Sequence, residues 1–173
     1  MRRFELALSD TDRGVYESLD LRAAQHPSET DRYLVTRVVA RALEHDEGVD
    51  FTRGLNVDDE PAIWRRDLRG DLLAWIEVGT PSVERLHRAL KACERVAVYG
   101  WHRVPDLARA VAEFDAHRKH ELALFAIDPA FLDRVAEKLD RVNRWELSVT
   151  GGTVYLSVGG KVFESPVERV AVG

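Results

Sequence analysis

The chain has 173 residues, 45% hydrophobic and 32% charged, with a net charge of -5. That is enough to bury a continuous core without disulfides or structural metal, and it excludes both a disordered chain and a surface built to hold nucleic acid non-specifically all over. One cysteine, Cys93, excludes an internal disulfide, and no apolar stretch is long enough for a transmembrane helix.

In chain order, Phe4 to Leu8 alternates like a strand, Ser9 to Gly14 carries turn chemistry, and Val15 to Arg22 reads as a second strand. The opening Met1-Arg2-Arg3-Phe4 lacks the apolar run of a signal peptide, so a cytoplasmic protein without a membrane partner is expected. Ser28, with Asp31 three residues on, predicts a helix start. Leu34, Val35, Val38, Val39, Ala42 and Leu43 then repeat at helical spacing up to Gly48. Phe51 to Leu55 is a short strand, and Pro61 to Val78 a hairpin turning in Leu68-Arg69-Gly70-Asp71. Beyond it, helices are expected at Ser82–Glu94, Pro105–Lys119 and Pro129–Asp140, with strands at Arg95–Trp101 and Glu121–Asp128. A meander closes the chain: Arg144–Thr150, Thr153–Val158 and Lys161–Glu164, with turns at two glycine pairs. No repeat or linker interrupts this order. The expectation is a single α/β (α+β) domain over residues 1–173, a mixed central sheet with helices on both faces.

The hairpin carries the chemistry. A turn centred on Arg69-Gly70 sets Asp67 against Leu72, Trp64 against Trp75 and Ala62 against Glu77. Alternation then puts Leu72, Ala74, Ile76 and Val78 on one apolar face and Leu73, Trp75 and Glu77 on the other. A carboxylate beside a large ring in a covered region needs a cation, a donor or a metal, or its pKa rises. Asp58, Asp59, Glu60 and Asp67 lie nearby in sequence, the material from which hard divalent cations are held. The competing reading makes Asp58, Asp59 and Glu60 a solvated loop and Glu77 half of a buried ion pair with Arg53 or Arg66. Cys93 falls on the apolar stripe of its helix and reads as core, and His26 as a loop hydrogen bonder.

The ordered set His26-Pro27-Ser28-Glu29-Thr30, Phe51-Thr52-Arg53-Gly54-Leu55, Asp58-Asp59-Glu60-Pro61, Trp64, Asp67-Leu68, Gly70, Trp75-Ile76-Glu77-Val78-Gly79 and Pro81 resembles the YaeQ family. The resemblance covers most of the first 100 residues. It implies a variant of the PD-(D/E)XK, restriction-endonuclease-like core, with extra N- and C-terminal strands. It also implies a divergent Mg²⁺-dependent nuclease or phosphodiesterase. On that pattern Glu77 matches the second-strand acid, Glu60 an acid ahead of the hairpin and Glu29 the glutamate at the start of the first helix. These three would hold Mg²⁺, while Arg85, near the edge of the apolar stripe of its helix, would meet the phosphate. The chain departs from the pattern at Ala62, where the first-strand acid is expected, and at Gly79, where the superfamily has its lysine. It departs again at Leu73 and Arg88. Arg88, Lys91 and Arg95 read as a solvated basic face. The alternative is a catalytically inactive descendant of the fold that binds a protein or nucleic-acid partner.

Overall fold

A computed structural model describes residues 1–52 and 60–173. The fold is mixed α+β, with parallel and antiparallel strand pairs, and divides into two compact units.

The first unit comprises residues 1–43 and 127–167. Its strands are β1 (Arg2–Asp10), β2 (Val15–Ala23), β8 (Val142–Thr150), β9 (Thr153–Val158) and β10 (Lys161–Arg169). They are ordered β2-β1-β8-β9-β10. The β1–β2 and β8–β9–β10 pairs are antiparallel, as short turns require, while β1 lies parallel to β8. Period-2 alternation sends Phe4, Leu6, Leu8, Trp145, Leu147 and Val149 into the core, where Phe4 meets Trp145 edge-on at 4.9 Å. The opposite face, with Ala7, Ser18 and Glu146, is exposed. Coverage of both faces by helices, expected for the whole sheet, therefore does not hold in this unit.

Two helices accompany these strands, α1 (Asp31–Leu43) and α4 (Pro129–Ala136), and they pack against each other. Arg32 of α1 grips Asp133 of α4 through two bonds of 2.8 and 2.6 Å. The N-cap of α1 is Thr30, whose Oγ1 accepts from the Tyr33 amide at 3.1 Å, and not Ser28. Ser28 pairs with the His26 ring instead, so His26 is a loop hydrogen bonder as expected. All positions from Leu34 to Leu43 are buried, Arg37 and Arg41 included, so α1 is far more enclosed than its apolar stripe predicts.

The second unit comprises residues 44–126 and 168–173. Its strands are β3 (Val49–Phe51), β4 (Ile63–Arg66), β5 (Leu72–Val78), β6 (Arg95–Gly100) and β7 (Ala123–Ile127), ordered β7-β6-β5-β4-β3. β3, β4 and β5 form an antiparallel meander, and β5, β6 and β7 are parallel. The parallel strands are joined by α2 (Val83–Ala92) and α3 (Val104–Glu113). β6 is buried on both sides from Val96 to Gly100, as parallel strands usually are. Leu86, Leu90, Val98, Leu107, Leu122 and Leu124 make the heart of this core, and Cys93 belongs to it. Burial pushes the Cys93 thiol up from its ordinary pKa, which suits an unreactive core residue.

The hairpin register matches the sequence reading where the ladder is regular. Trp64 pairs with Trp75 and Ile63 with Ile76. It slips by one at a bulge between Arg65 and Arg66, so Leu72 faces Arg66 and not Asp67. Asp67 serves the turn: its Oδ1 accepts from the amides of Arg69 and Asp71, both at 2.9 Å. The strand expected at Phe51–Leu55 begins earlier, at Val49, and positions 53–55 lie outside the described residues.

Candidate functional site

The alternation of β5 puts Trp75 and Glu77 on one side of the strand, two residues apart. The indole turns its Nε1–H to Glu77 Oε1 at 2.7 Å. α2 supplies the cation. Ser82 caps this helix by accepting from the Arg85 amide at 3.2 Å, which fixes Arg85 in the first turn. From there Arg85 Nε–H donates to the same Oε1 at 2.7 Å, with the guanidinium carbon 5.4 Å from the Trp75 ring centre. Arg85 Nη2 also donates to the Glu60 carbonyl. One guanidinium thus holds Glu77, packs on Trp75 and ties down the segment that leads into β4.

Glu77 is 7% exposed and Glu60 8%. Burial pushes the Glu77 carboxyl above its ordinary value, while the Arg85 hydrogen bond and charge and the Trp75 bond pull the other way. The arrangement satisfies a buried carboxylate with a cation that does not deprotonate. Of the two arginines that sequence reasoning offered Glu77, Arg53 lies outside the described residues. Arg66 is engaged at the hairpin tip, 4.1 Å from the Trp64 ring centre and donating to the Gly70 carbonyl at 2.7 Å.

Arg85 thus joins the Glu77 carboxylate to the backbone carbonyl of Glu60. Glu29 belongs to the first unit and has a partner of its own. Its side chain is inaccessible and lies 3.1 Å from Arg37 Nη2, and the His26 amide donates to its Oε2 at 3.3 Å. Burial pushes the Glu29 carboxyl up, opposed by the Arg37 charge, and the same burial lowers the Arg37 guanidinium. Asp58 and Asp59 lie outside the described residues. Among the described residues no group of three or more His, Cys, Asp or Glu side chains is gathered that could hold a metal ion. No described helix is long and apolar enough to cross a membrane. Arg88 and Lys91 are exposed, as expected of a solvated basic face.

Arg95 is exposed too, but it is also paired. It forms two 2.8 Å bonds with Glu44, and Tyr99 Oη–H donates to Glu44 Oε2 at 2.5 Å. Tyr99 stacks on Phe125 at 4.9 Å. Sequence reasoning did not assemble this cluster. Its one local signal is the even spacing of Arg95 and Tyr99, which puts both on one face of β6.

The family model described as "YaeQ protein" matches residues 1–167. Two proteins named "Uncharacterized protein YaeQ" are similar in sequence. That of Salmonella typhi is 30% identical over 156 residues and that of Escherichia coli (strain K12) 29% over 151, each match covering 87% of this chain and 83% of the relative. The crystal structure of YaeQ protein from Pseudomonas syringae is 31% identical with a TM-score of 0.90, covering 98% of this chain and 94% of that one. The structure of YaeQ protein from Xanthomonas axonopodis pv. citri is 33% identical with a TM-score of 0.86, covering 98% and 97%. With the match running over nearly every residue and the fold preserved throughout, the chain belongs to the YaeQ family.

Proposed function

We propose that the chain carries a variant of the PD-(D/E)XK nuclease-like core in which the acid of the second hairpin strand has been taken over by an arginine, and that it acts as a non-catalytic binding module for a protein or nucleic-acid partner. Support for the core comes from the order α1, β3-β4-β5, α2, β6, with an antiparallel meander followed by a parallel strand. The observation that carries the non-catalytic reading is the bond from Arg85 Nε to Glu77 Oε1 at 2.7 Å, reinforced by Trp75 on the same oxygen. Two further positions agree with it. Ala62, one residue before the Ile63–Ile76 pair, offers no acid opposite Glu77, and Gly79 offers no lysine.

These residues do not suit a Mg²⁺ centre as they stand. A hard cation is held by carboxylate oxygens, and here the shared oxygen of Glu77 already answers an indole and a guanidinium. The second reading, a divergent Mg²⁺-dependent phosphodiesterase, is favoured by one feature: two buried glutamates meet at Arg85, Glu77 through its carboxylate and Glu60 through its backbone carbonyl. The test is hydrolysis. Plasmid DNA, single-stranded DNA and RNA are incubated with the wild type and with Glu77→Ala in Mg²⁺ or Mn²⁺. No cleavage above the variant is expected. Metal-dependent cleavage by the wild type, lost in Glu77→Ala, overturns the non-catalytic reading.

A further inference from the structure

The exposed face of the first unit's sheet carries a shallow cavity of about 450 Å³. Its floor is low because strand register lines up small side chains: Ser18 pairs with Ala7, Ala7 with Glu146, and Glu146 with Ser157. Gly159 and Gly160 extend the low floor at the β9 end. The adjacent row on one side runs from Tyr16 through Ser9 and Ser148 to Tyr155. Both tyrosines are solvent-accessible, 61% and 37%. The row on the other side is Asp20, Glu5 and Arg144. The result is a trough that crosses β2, β1, β8 and β9, about 14 Å long at the usual strand spacing.

The charges in and around the trough are unevenly matched. Arg144 bonds Glu5 at 3.0 Å, Arg3 lies 3.4 Å from Glu5, and Arg3 takes Asp20 through two bonds of 2.9 Å. That wall is a closed chain of alternating sign. Glu146, in the floor between Ala7 and Ser157, has no ion-pair or hydrogen-bond partner among the described residues. Beyond it Glu164 pairs with Tyr155 across β9 and β10 and adds a second negative charge on this face.

We infer that this trough is a binding site for an extended basic peptide, with a lysine or arginine side chain laid along the small-residue floor and its cationic head on Glu146. The length suits about four extended residues. The volume is that of an ordinary ligand site. The carboxylate supplies charge complementarity, and the tyrosine rings at either end offer faces to the stem or to a second cation. The site is separate from the Glu77 cluster and does not depend on the reading proposed for it.

The test uses the full chain and a capped tetralysine peptide, with a capped tetraglutamate as control, in calorimetric titrations at low and moderate salt. Glu146→Gln removes the charge, and Ala7→Trp fills the floor. Glu168→Gln, an exposed acid of the second unit, makes the same change in net charge elsewhere. Tetralysine is expected to bind the wild type and Glu168→Gln alike, several-fold more weakly to Glu146→Gln, and not measurably to Ala7→Trp. The inference is overturned if all four proteins bind tetralysine equally, which would be attraction to net charge alone. It is also overturned if none of them binds it, if tetraglutamate binds better, or if the trough variants change the oligomeric state instead of peptide binding.

Discussion

Arg85 donates its Nε–H to Glu77 Oε1 at 2.7 Å, reaching from the first turn of α2 to the penultimate residue of β5. That bond makes Glu77 one half of a largely buried ion pair. Removing either half leaves the other charge behind, but the consequences differ because Glu77 is the drier partner and Arg85 the more exposed one.

Arg85→Ala strands Glu77 in a largely dry site. Breaking a fully buried pair from one side costs about 3–5 kcal/mol, and the partial exposure of Arg85 lowers the expectation to about 2–3 kcal/mol. Glu77→Gln keeps an acceptor for both Trp75 and Arg85 and leaves the unpaired charge on Arg85, the more exposed partner, so a loss of about 1 kcal/mol is expected. Urea unfolding midpoints at neutral pH check the order. A Glu77→Gln protein less stable than Arg85→Ala would contradict it.

Glu29 makes stability pH-dependent in a defined direction. Burial raises its carboxyl above the unfolded value, so the proton is held more tightly in the folded state. The stability this contributes is fully present below about pH 4.5, the ordinary value. It is lost as pH rises through the raised folded value. Glu29→Gln cannot titrate there. The melting temperature of Glu29→Gln minus that of the wild type is therefore expected to increase from pH 4 to pH 7, whatever the absolute cost of leaving Arg37 with a neutral partner. A flat or falling difference would contradict the assignment.

Tyr99→Phe removes one hydroxyl from a site where the ring is 2% exposed. Its 2.5 Å bond reaches a carboxylate, and bonds to charged groups are worth about 1.5–3 kcal/mol. The expected result is a lower urea midpoint by that amount with an unchanged slope. No change in midpoint would mean that Arg95 alone satisfies Glu44.

Gly48 and Gly70 separate backbone conformation from space. Their φ angles are nearly equal, +85° and +87°. A Cβ at Gly48 would fall 2.1 Å from the Arg66 carbonyl oxygen, whereas nothing lies within 4 Å at Gly70. Gly70→Ala is expected to cost about 1 kcal/mol for the left-handed backbone alone. Gly48→Ala adds a clash with backbone that carries the Arg66 N–H to Gly48 carbonyl bond, and more than about 2 kcal/mol is expected. Equal melting temperatures for the two variants would contradict this.

The hairpin was legible because a period-2 pattern, a turn signal and a tryptophan pair all agree, and Trp64 does face Trp75. Its last pair was not, since a bulge inserts a residue without any break in the polar and apolar pattern. The inward direction of Glu77 followed from the same alternation, but its partner did not. Arg66 lies on the neighbouring strand, whereas Arg85 sits on a helix and reaches Glu77 only once Ser82 sets the start of α2. Thr30 rather than Ser28 caps α1 because His26 engages Ser28, a choice between two adequate caps that spacing cannot make. The division into two units was hidden too. It depends on β1 lying parallel to β8, a pairing between residues about 140 positions apart that local pattern does not encode.

The central claim is that Glu77 is occupied by Arg85 and does not serve a metal. A calorimetric titration of Mn²⁺ into the wild type and into Glu77→Ala, up to millimolar metal, tests it most directly. The account predicts no binding isotherm that distinguishes the two proteins. Saturable Mn²⁺ binding by the wild type that disappears in Glu77→Ala would contradict it.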